Sequence, residues 1–431
     1  MICNTPPLEF TSRRPSRPVG KASPAGRVTL LGAVVVLAGC GRPGNTDAWV
    51  SPAVAVPAPA PPGSRYPNLA PRRDGGAVLS WVASATDGTH ALQYSNWLEG
   101  GWTAPATVGS GAGWFVNWAD FASVVPLDDG LWVAHWLEQR PGNVYAYDVR
   151  ISVSKDHGRT WSAPISPHDD GTPTEHGFVS LAPSDKRVAA IWLDGRNTAG
   201  ADHESGHVST AGAMTLRTAL IDAQGRVAGG GAELDARVCD CCQTDAAATA
   251  EGLVVAYRDR DAEEIRDISV VRAVGGVWSA PVAVHRDNWR IAACPVNGPA
   301  IAAQDRIVAV AWFTAPDQPR IRLAFSDDAG QSFALPLEIA AGRVAGRVDL
   351  VLLDHRRAVV SWLAEGAEGA EIRAQVWTRD GAIGAPLTIA SASVDRASGF
   401  PRMARAGEHL LFAWTEAGES PAVRTAVVHL R

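Results

Sequence analysis

The chain has no excess of basic residues, because 45 Asp and Glu outnumber 39 Lys and Arg and give a formal net charge of −6. This balance argues against a nucleic-acid partner, which requires concentrated positive charge. The chain also contains no Gly-rich phosphate loop and no G-x-S-x-G motif, so nucleotide binding and α/β-hydrolase chemistry are not expected. Its N-terminal apolar run, residues 28–37, is too short to span a bilayer.

The remaining composition is that of a globular protein. Hydrophobic residues make up 46% and charged residues 19% of the 431 positions, which excludes a disordered chain or a coiled coil as the main structure. The 42 Gly and 29 Pro are spread along the length and accompany 16 Trp, a pattern typical of short strands joined by tight turns. We therefore expect a mostly β protein.

The N-terminal segment has the pattern of an export signal. Basic residues precede the apolar run, which leads into Leu37, Ala38, Gly39 and Cys40. This stretch resembles the lipobox of bacterial lipoproteins, in which the cysteine is lipidated and becomes the new N-terminus. We expect a signal peptide over residues 1–39, a tether over residues 40–46 and membrane attachment through lipid on Cys40. An ordinary signal peptide or a short anchor are the alternatives.

One short apolar run that ends in an aromatic residue recurs seven times, with 50 to 65 residues between successive aromatics. The runs cover residues 77–81, 131–136, 188–192, 253–257, 307–312, 358–362 and 410–414. This interval is the length of one four-stranded propeller blade, and large aromatics at a fixed repeat position pack between blades. The sequence predicts an all-β, seven-bladed propeller over residues 47–431, with six blades as the alternative.

The closure of the ring is predicted from both ends of the chain. The seventh unit has a third strand at residues 423–430 but no fourth, whereas residues 49–54 have the pattern of the missing strand. Pairing the two would remove an exposed sheet edge.

Two turns after third strands carry a specific motif. Residues 154–161, SKDHGRTW, fit S-x-D-x-G-x-T-W throughout, and residues 326–333, SDDAGQSF, fit with Ser for Thr and Phe for Trp. They resemble the Asp-boxes of the sialidase (BNR) superfamily, in which these turns lie on the face away from the active site. The resemblance implies a ligand site on the opposite face, at loops that enter the innermost strands and leave the second strands.

Charged and polar residues crowd those loops. Sialidases bind the substrate carboxylate with three arginines and use an Asp acid/base and a Tyr–Glu nucleophile, so the resemblance makes some of these residues candidates for catalysis. The catalytic candidates are Arg65, which lies in an R-x-P motif, Asp194, Arg258, Asp259 and Arg260. The ligand-binding candidates are Arg196, Glu263, Arg290, Asn297, Arg347 and Arg402.

The chain departs from the sialidase pattern in two respects. The family's nucleophilic tyrosine comes late in the sequence, whereas the last tyrosine here is Tyr257, and those enzymes have six blades. We therefore expect a binding propeller that takes an acidic glycan or another envelope component, anchored at the outer membrane on its periplasmic or surface side. An active glycosidase of sialidase type is the alternative, so whether the chain is an enzyme stays open.

Four cysteines form the remaining unusual feature. Cys239, Cys241 and Cys242 lie within four residues, and repeat alignment sets Cys242 against Cys294 on the adjacent blade. Disulfides are expected in an exported protein, with Cys242 and Cys294 as the favoured pair. A copper or zinc site and a redox-active thiol pair are the alternatives, and no cofactor is certain.

Residues 203–207, HESGH, satisfy the H-E-x-x-H motif of zinc proteases, which requires a helix. The surrounding residues 197–212 are rich in Gly, Ala, Ser and Thr, so a long loop of the third blade is predicted instead.

Overall fold

The computed structural model describes residues 49–127, 130–141, 144–199, 212–366 and 369–431. The predicted signal peptide, the tether with Cys40 and the HESGH motif lie outside the described residues. The described chain forms seven antiparallel sheets that make up a seven-bladed β-propeller, as predicted. Its helical elements are two 3-10 turns, Arg196–Thr198 and Arg396–Ser398. No helix of the described residues is long and apolar enough to cross a membrane.

The strands follow one another from the innermost to the outermost position of each blade. The first strand, β1 (Val54–Val56), belongs to blade 7. Blade 1 contains β2 (Arg65–Pro71), β3 (Ala77–Ser84), β4 (His90–Leu98), β5 (Gly101–Trp102) and β6 (Ala106–Gly111). Blade 2 contains β7 (Ser123–Pro126), β8 (Trp132–Gln139) and β9 (Tyr147–Ser154), and a bridge from Ile151 to Ile165 holds its outer position. Blade 3 contains β10 (His176–Ser184), β11 (Arg187–Asp194), β12 (Thr215–Ile221) and β13 (Val227–Asp235).

The second half of the ring repeats this order. Blade 4 contains β14 (Asp245–Thr249), β15 (Gly252–Arg258), β16 (Ile268–Val274), β17 (Val277–Trp278) and β18 (Val282–Ala283). Blade 5 contains β19 (Ala300–Gln304), β20 (Ile307–Thr314), β21 (Arg320–Ser326) and β22 (Leu337–Ala341). Blade 6 contains β23 (Val344–Leu352), β24 (Ala358–Glu365), β25 (Ala370–Thr378) and β26 (Gly381–Ala392). Blade 7 contains β27 (Arg402–Ala406), β28 (His409–Glu416), β29 (Ala422–His429) and β1.

The seven predicted aromatic runs are the second strands of the seven blades. These strands are apolar along nearly their whole length because a neighbouring blade covers each of their faces. Seven hydrophobic clusters fill the seven interfaces between blades, and each contains one repeat aromatic: Trp81, Trp136, Trp192, Tyr257, Trp312, Trp362 and Trp414. All seven are buried, so the predicted role in packing between blades is confirmed.

The two ends of the chain close the ring, as predicted. Strand β1 pairs antiparallel with β29, and the main-chain N–H of Arg431 donates to the carbonyl of Trp49 at 3.2 Å. The regular strand begins at Val54 rather than at Trp49. Pro52 explains the shift, because it has no N–H to offer the ladder between the Val50 bridge and β1.

The two Asp-box turns have the same hydrogen bonds. In the first, Ser154 Oγ donates to Asp156 at 2.8 Å and accepts from Gly158 N at 2.9 Å. In the second, Ser326 Oγ donates to Asp328 at 2.7 Å and accepts from Gly330 N at 2.9 Å. Both glycines have positive φ, which explains the requirement for glycine there. The turns follow third strands and lie at the end of the propeller opposite the candidate site.

Candidate functional site

The top face of the propeller is formed by the segments that enter the innermost strands and leave the second strands. A channel of about 700 Å³ runs along the axis between the innermost strands. The titratable side chains on its wall near this face are Asp120, His135, Asp245, Asp349 and Arg402. The channel is the volume on the axis that suits a small ligand.

Three innermost strands begin with the same irregularity. Their pairing with the second strand shifts register between Arg65 and Asn68, between Gly177 and Ser180, and between Gly346 and Asp349. Within these bulges Tyr66, Phe178 and Arg347 have φ values of 54°, 54° and 50°. Bulges and left-handed non-glycine residues are strained and concentrate next to functional sites. The same geometry therefore recurs where three innermost strands begin on the top face.

Three aspartates of the channel connect neighbouring blades. Asp120, Asp245 and Asp349 lie on blades 2, 4 and 6, and each accepts a main-chain N–H from the following blade. The donors are Phe178 at 2.7 Å, Ile301 at 2.9 Å and Met403 at 2.7 Å. Burial raises the pKa of Asp120 to about 7 and that of Asp245 to about 6, and it also raises the pKa of Asp349.

Two predicted arginines are buried and bind main-chain carbonyls. Arg258 donates to the carbonyls of Asn297, Arg266 and Phe313 at 2.6 to 3.0 Å. Arg347 donates to the carbonyls of Gly399, Val394 and Asp395 at 2.7 to 3.1 Å, and burial lowers its pKa to about 10. Both guanidinium groups thus hold loops together instead of facing the channel.

Other predicted residues are paired with each other or with neighbours. Asp194 is fully buried and accepts two hydrogen bonds of 2.7 Å from Arg196. Arg260 donates to Glu264 at 2.8 Å. Asp259 accepts from Ser269 at 3.0 Å, and burial raises its pKa to about 6. Asp194 and Asp259 therefore lie in separate hydrogen-bond networks.

The remaining candidates are dispersed. Arg65 lines a separate surface pocket with His90 and Trp114, whereas Glu263 and Arg290 are exposed. Asn297 accepts the main-chain N–H of Arg347 at 2.7 Å and so links blades 5 and 6. Arg402 lies on the channel wall, with its Nε 3.3 Å from Asp349. Of the predicted arginines that the structure describes, Arg402 is the one that lines the channel.

A tyrosine bound to two acids was missed by sequence reasoning. Tyr147 begins the third strand of blade 2, and its Oη lies 2.6 Å from Glu175 Oε1 and 3.0 Å from Asp120 Oδ2. Burial raises the pKa of Glu175 to about 8, while burial and the two carboxyl groups raise that of Tyr147. Asp120 and Glu175 lie in the segments that enter the innermost strands of blades 2 and 3, and nothing in the sequence indicates that they share a partner.

A second buried polar group lies between blades 2 and 3. The rings of His168 and His176 stack with centroids 3.9 Å apart, and Asp170 Oδ2 is 3.0 Å from His176 Nε2. Burial tends to lower the pKa of His176, but the neighbouring carboxylates outweigh it and raise that pKa. Burial lowers the pKa of His168. Arg196 lies 3.3 Å from Asp170. Two overlapping sets have metal-ligand spacing, namely Asp148 with His168 and His176, and Asp170 with His176 and Asp194.

The four predicted cysteines meet on the top face. Cys239 Sγ lies 3.4 Å from that of Cys242 and 4.0 Å from that of Cys241, and Cys294 neighbours Cys241. The four residues are unpaired thiols in this structure, and the pairing of Cys242 with Cys294 stays a prediction. Burial tends to raise the pKa of Cys239. Hydrogen bonds from the two neighbouring cysteines and the charge of Arg266 outweigh burial and hold this pKa well below its usual range.

Comparisons with known proteins concern the fold. No protein-family model and no curated protein sequence matches the chain. A protein of unknown function from Dyadobacter fermentans aligns over 86% of this chain and 95% of its own, with a TM-score of 0.49 and 12% identity. The leech intramolecular trans-sialidase aligns over 82% and 83%, with a TM-score of 0.48 and 10% identity.

An α-L-arabinofuranosidase from Fusarium graminearum aligns over 89% of this chain and 98% of its own, with a TM-score of 0.46 and 12% identity. The chain is a seven-bladed β-propeller with two turns that have the Asp-box sequence and hydrogen bonds. A shared fold does not carry a shared activity.

Proposed function

We propose that the chain binds an acidic glycan or another anionic envelope component on its top face, where the axial channel opens. The observation that carries this proposal is the position of Arg402. Its guanidinium lies on the channel wall, where Nε forms an ion pair with Asp349 Oδ2 at 3.3 Å and the side chain keeps 22% of its surface exposed. A planar guanidinium that is partly exposed on a channel wall suits a carboxylate or sulfate.

The channel aspartates give this proposal a pH dependence. Asp120 and Asp245, with pKa values raised by burial to about 7 and about 6, lie on the same wall as Arg402. Their ionised forms repel an anion, whereas their protonated forms do not. Binding of an anionic glycan is therefore expected to strengthen as the pH falls from 8 to 5.

The test is calorimetry of the full chain against uronic-acid, sialic-acid and sulfated oligosaccharides, with neutral ones of equal length for comparison. We expect Arg402→Ala to weaken binding of the anionic ligands about tenfold or more. Arg424→Ala is the matched control, because Arg424 is an exposed arginine paired with Glu416 away from the channel. Equal affinity for neutral and anionic ligands, or equal losses in both variants, would contradict the proposal.

Export and anchoring at the outer membrane, on its periplasmic or surface side, are part of the proposal and rest on the lipobox-like residues around Cys40. The full chain, expressed in a bacterium, should fractionate with membranes and carry a lipid mass, and Cys40→Ser should release it into the soluble fraction. A parent chain that stays in the soluble fraction with an unmodified N-terminus would contradict this part of the proposal.

Glycoside cleavage is the second candidate, favoured by the group of Tyr147, Glu175 and Asp120. Glu175 is a carboxyl group whose raised pKa lets it keep a proton near neutral pH, as a general acid must. Fluorophore release from a panel of aryl glycosides, abolished by Tyr147→Phe and by Glu175→Gln, would establish this activity. We expect no release from sialosides.

A further inference from the structure

We infer that Cys239, Cys241 and Cys242 bind one thiophilic metal ion, Cu(I) or Zn(II), with Cys294 as an additional ligand at the solvent edge. This inference is independent of the proposed glycan site, because none of the four cysteines lines the channel. Thiolate sulfur is the ligand that both ions prefer among protein side chains.

The sulfur positions match a metal site. The Sγ atoms of Cys239, Cys241 and Cys242 lie within 4.8 Å of one another, with separations of 3.4 Å and 4.0 Å from Cys239 to the other two. Zinc–sulfur bonds of about 2.3 Å in a tetrahedron place neighbouring sulfurs about 3.8 Å apart. One ion can therefore reach all three sulfurs with little rearrangement.

The main chain holds this loop in place without the metal. The N–H of Cys239 donates to the carbonyl of Arg258 at 3.0 Å, and Val238 donates to Met214 on the preceding blade at 2.9 Å. After the cysteines, the side chain of Gln243 donates to the carbonyl of Ala119 at 2.6 Å and accepts from Gly298 N at 3.1 Å. The same glutamine thus ties the loop to the segment that carries Cys294. Ligands fixed in this way lose little entropy when an ion binds.

Charges around the sulfurs suit a bound thiolate–metal group. Arg266 Nη1 donates to Cys239 Sγ at 3.2 Å, which is the kind of outer hydrogen bond that supports a ligating sulfur. The positive charges of Arg266 and Arg258 act on Cys239, and the negative charge of Asp240 lies beside it. Three thiolates bound to Zn(II) or Cu(I) carry a net negative charge, which the two arginines offset.

Disulfides are the competing state of the cluster. A disulfide brings two sulfurs to about 2.05 Å, and one pair among the three close cysteines leaves the third able to pair with Cys294. Two disulfides would leave no thiolate for an ion, so the reduced protein is the form that binds metal.

Access also favours binding from solvent. Cys239 and Cys242 are 1% and 2% exposed, whereas Cys241 is half-buried and Cys294 is exposed. An ion can thus be captured at Cys294 and Cys241 and passed to the inner sulfurs. Cys294→Ser is expected to weaken binding less than loss of an inner cysteine.

The test is metal binding by the full chain, purified anaerobically with a reductant and without chelator, then titrated with Zn(II) or Cu(I). We expect one ion per chain by native mass spectrometry and sulfur ligands by X-ray absorption. Cys239→Ser and Cys242→Ser should weaken binding about 100-fold or more, because a lost ligand costs at least as much as a lost outer-shell partner. Cys40→Ser, a cysteine outside the cluster, should bind as the parent does.

Several outcomes would overturn the inference: no stoichiometric ion in the reduced parent, nitrogen and oxygen ligands in the absorption spectrum, or undiminished binding in Cys239→Ser. If a serine variant fails to fold, as judged by circular dichroism, the X-ray absorption spectrum of the parent still shows whether sulfur atoms bind the ion. Glycan binding measured with and without the ion separates failure of this inference from failure of the proposed function.

Discussion

The phenol oxygen of Tyr147 lies 2.6 Å from Glu175 Oε1 and 3.0 Å from Asp120 Oδ2. A phenol has one proton to donate, so it cannot satisfy both carboxylates when both are ionised. Burial raises the pKa of Asp120 to about 7 and that of Glu175 to about 8, which keeps a second proton in the group near neutral pH. The top face therefore contains a buried proton shared among three residues from two blades.

This proton makes stability depend on pH. Because the pKa of folded Glu175 is about 8 and its ordinary value is 4.5, the folded state binds more protons between these values. The free energy of unfolding should therefore fall as the pH rises from 4.5 to 8, by at most about 1.4 kcal/mol per pH unit for this group. Glu175→Gln should flatten the fall between pH 7 and 8, measured by urea unfolding.

Glu419→Gln is the control for this prediction, since Glu419 is exposed. A Glu175→Gln curve that parallels the parent between pH 7 and 8 would show that Glu175 ionises normally in the folded state.

The glycine beside this group is predicted to be irreplaceable. A Cβ at Gly177 would lie 1.9 Å from Asp120 Oδ2 and 2.8 Å from the Tyr147 ring. Gly177→Ala should destabilise the fold by about 3 kcal/mol, since the strand is fixed by its neighbours on both sides. Gly418→Ala, where no heavy atom lies within 4 Å of the new carbon, should be near neutral. Equal melting temperatures for the two variants would refute the packing around Gly177.

The Asp-box turns are predicted to stabilise blades 2 and 5 in the same way. Ser154→Ala and Ser326→Ala each remove a buried acceptor of two main-chain N–H groups, so each should cost about 1–3 kcal/mol. Exposed Ser391 offers a control substitution to alanine. Denaturant unfolding measures the free energy of unfolding of each variant. A decrease in the two Asp-box variants no larger than that in Ser391→Ala would contradict the hydrogen bonds of these turns.

Closure by the N-terminal strand is the fourth prediction. A chain that begins at residue 57 lacks β1 and exposes the edge of β29, so it should melt at a lower temperature and associate through that edge. A chain that begins at residue 49 keeps the strand and should behave as the parent. Calorimetry and light scattering measure both effects, and identical behaviour of the two truncations would mean that β1 contributes nothing.

The blade count could be predicted from sequence because every interface between blades needs one large aromatic at the same repeat position. Trp312 in blade 5 and Tyr257 in blade 4 do the same packing, and local sequence reveals both. The Asp-boxes were predictable for a similar reason, since Ser154 and Asp156 bond within one turn.

The candidate site was less predictable because its contacts join distant segments. The sequence around Arg258 does not show that its donors reach carbonyls on blade 5, and Arg402 has no local feature that distinguishes it from Arg258. Tyr147 meets Glu175 only because blades 2 and 3 stack in one register. The cysteines were found because three of them are neighbours in sequence.

The most direct test of the top-face account is a crystal structure of the full chain soaked with the anionic oligosaccharide that binds best in calorimetry. The account predicts ligand on the axis at the top face, with a carboxylate or sulfate against Arg402. Ligand bound at the Asp-box end, or on the outer edges of the blades with Arg402 untouched, would contradict it.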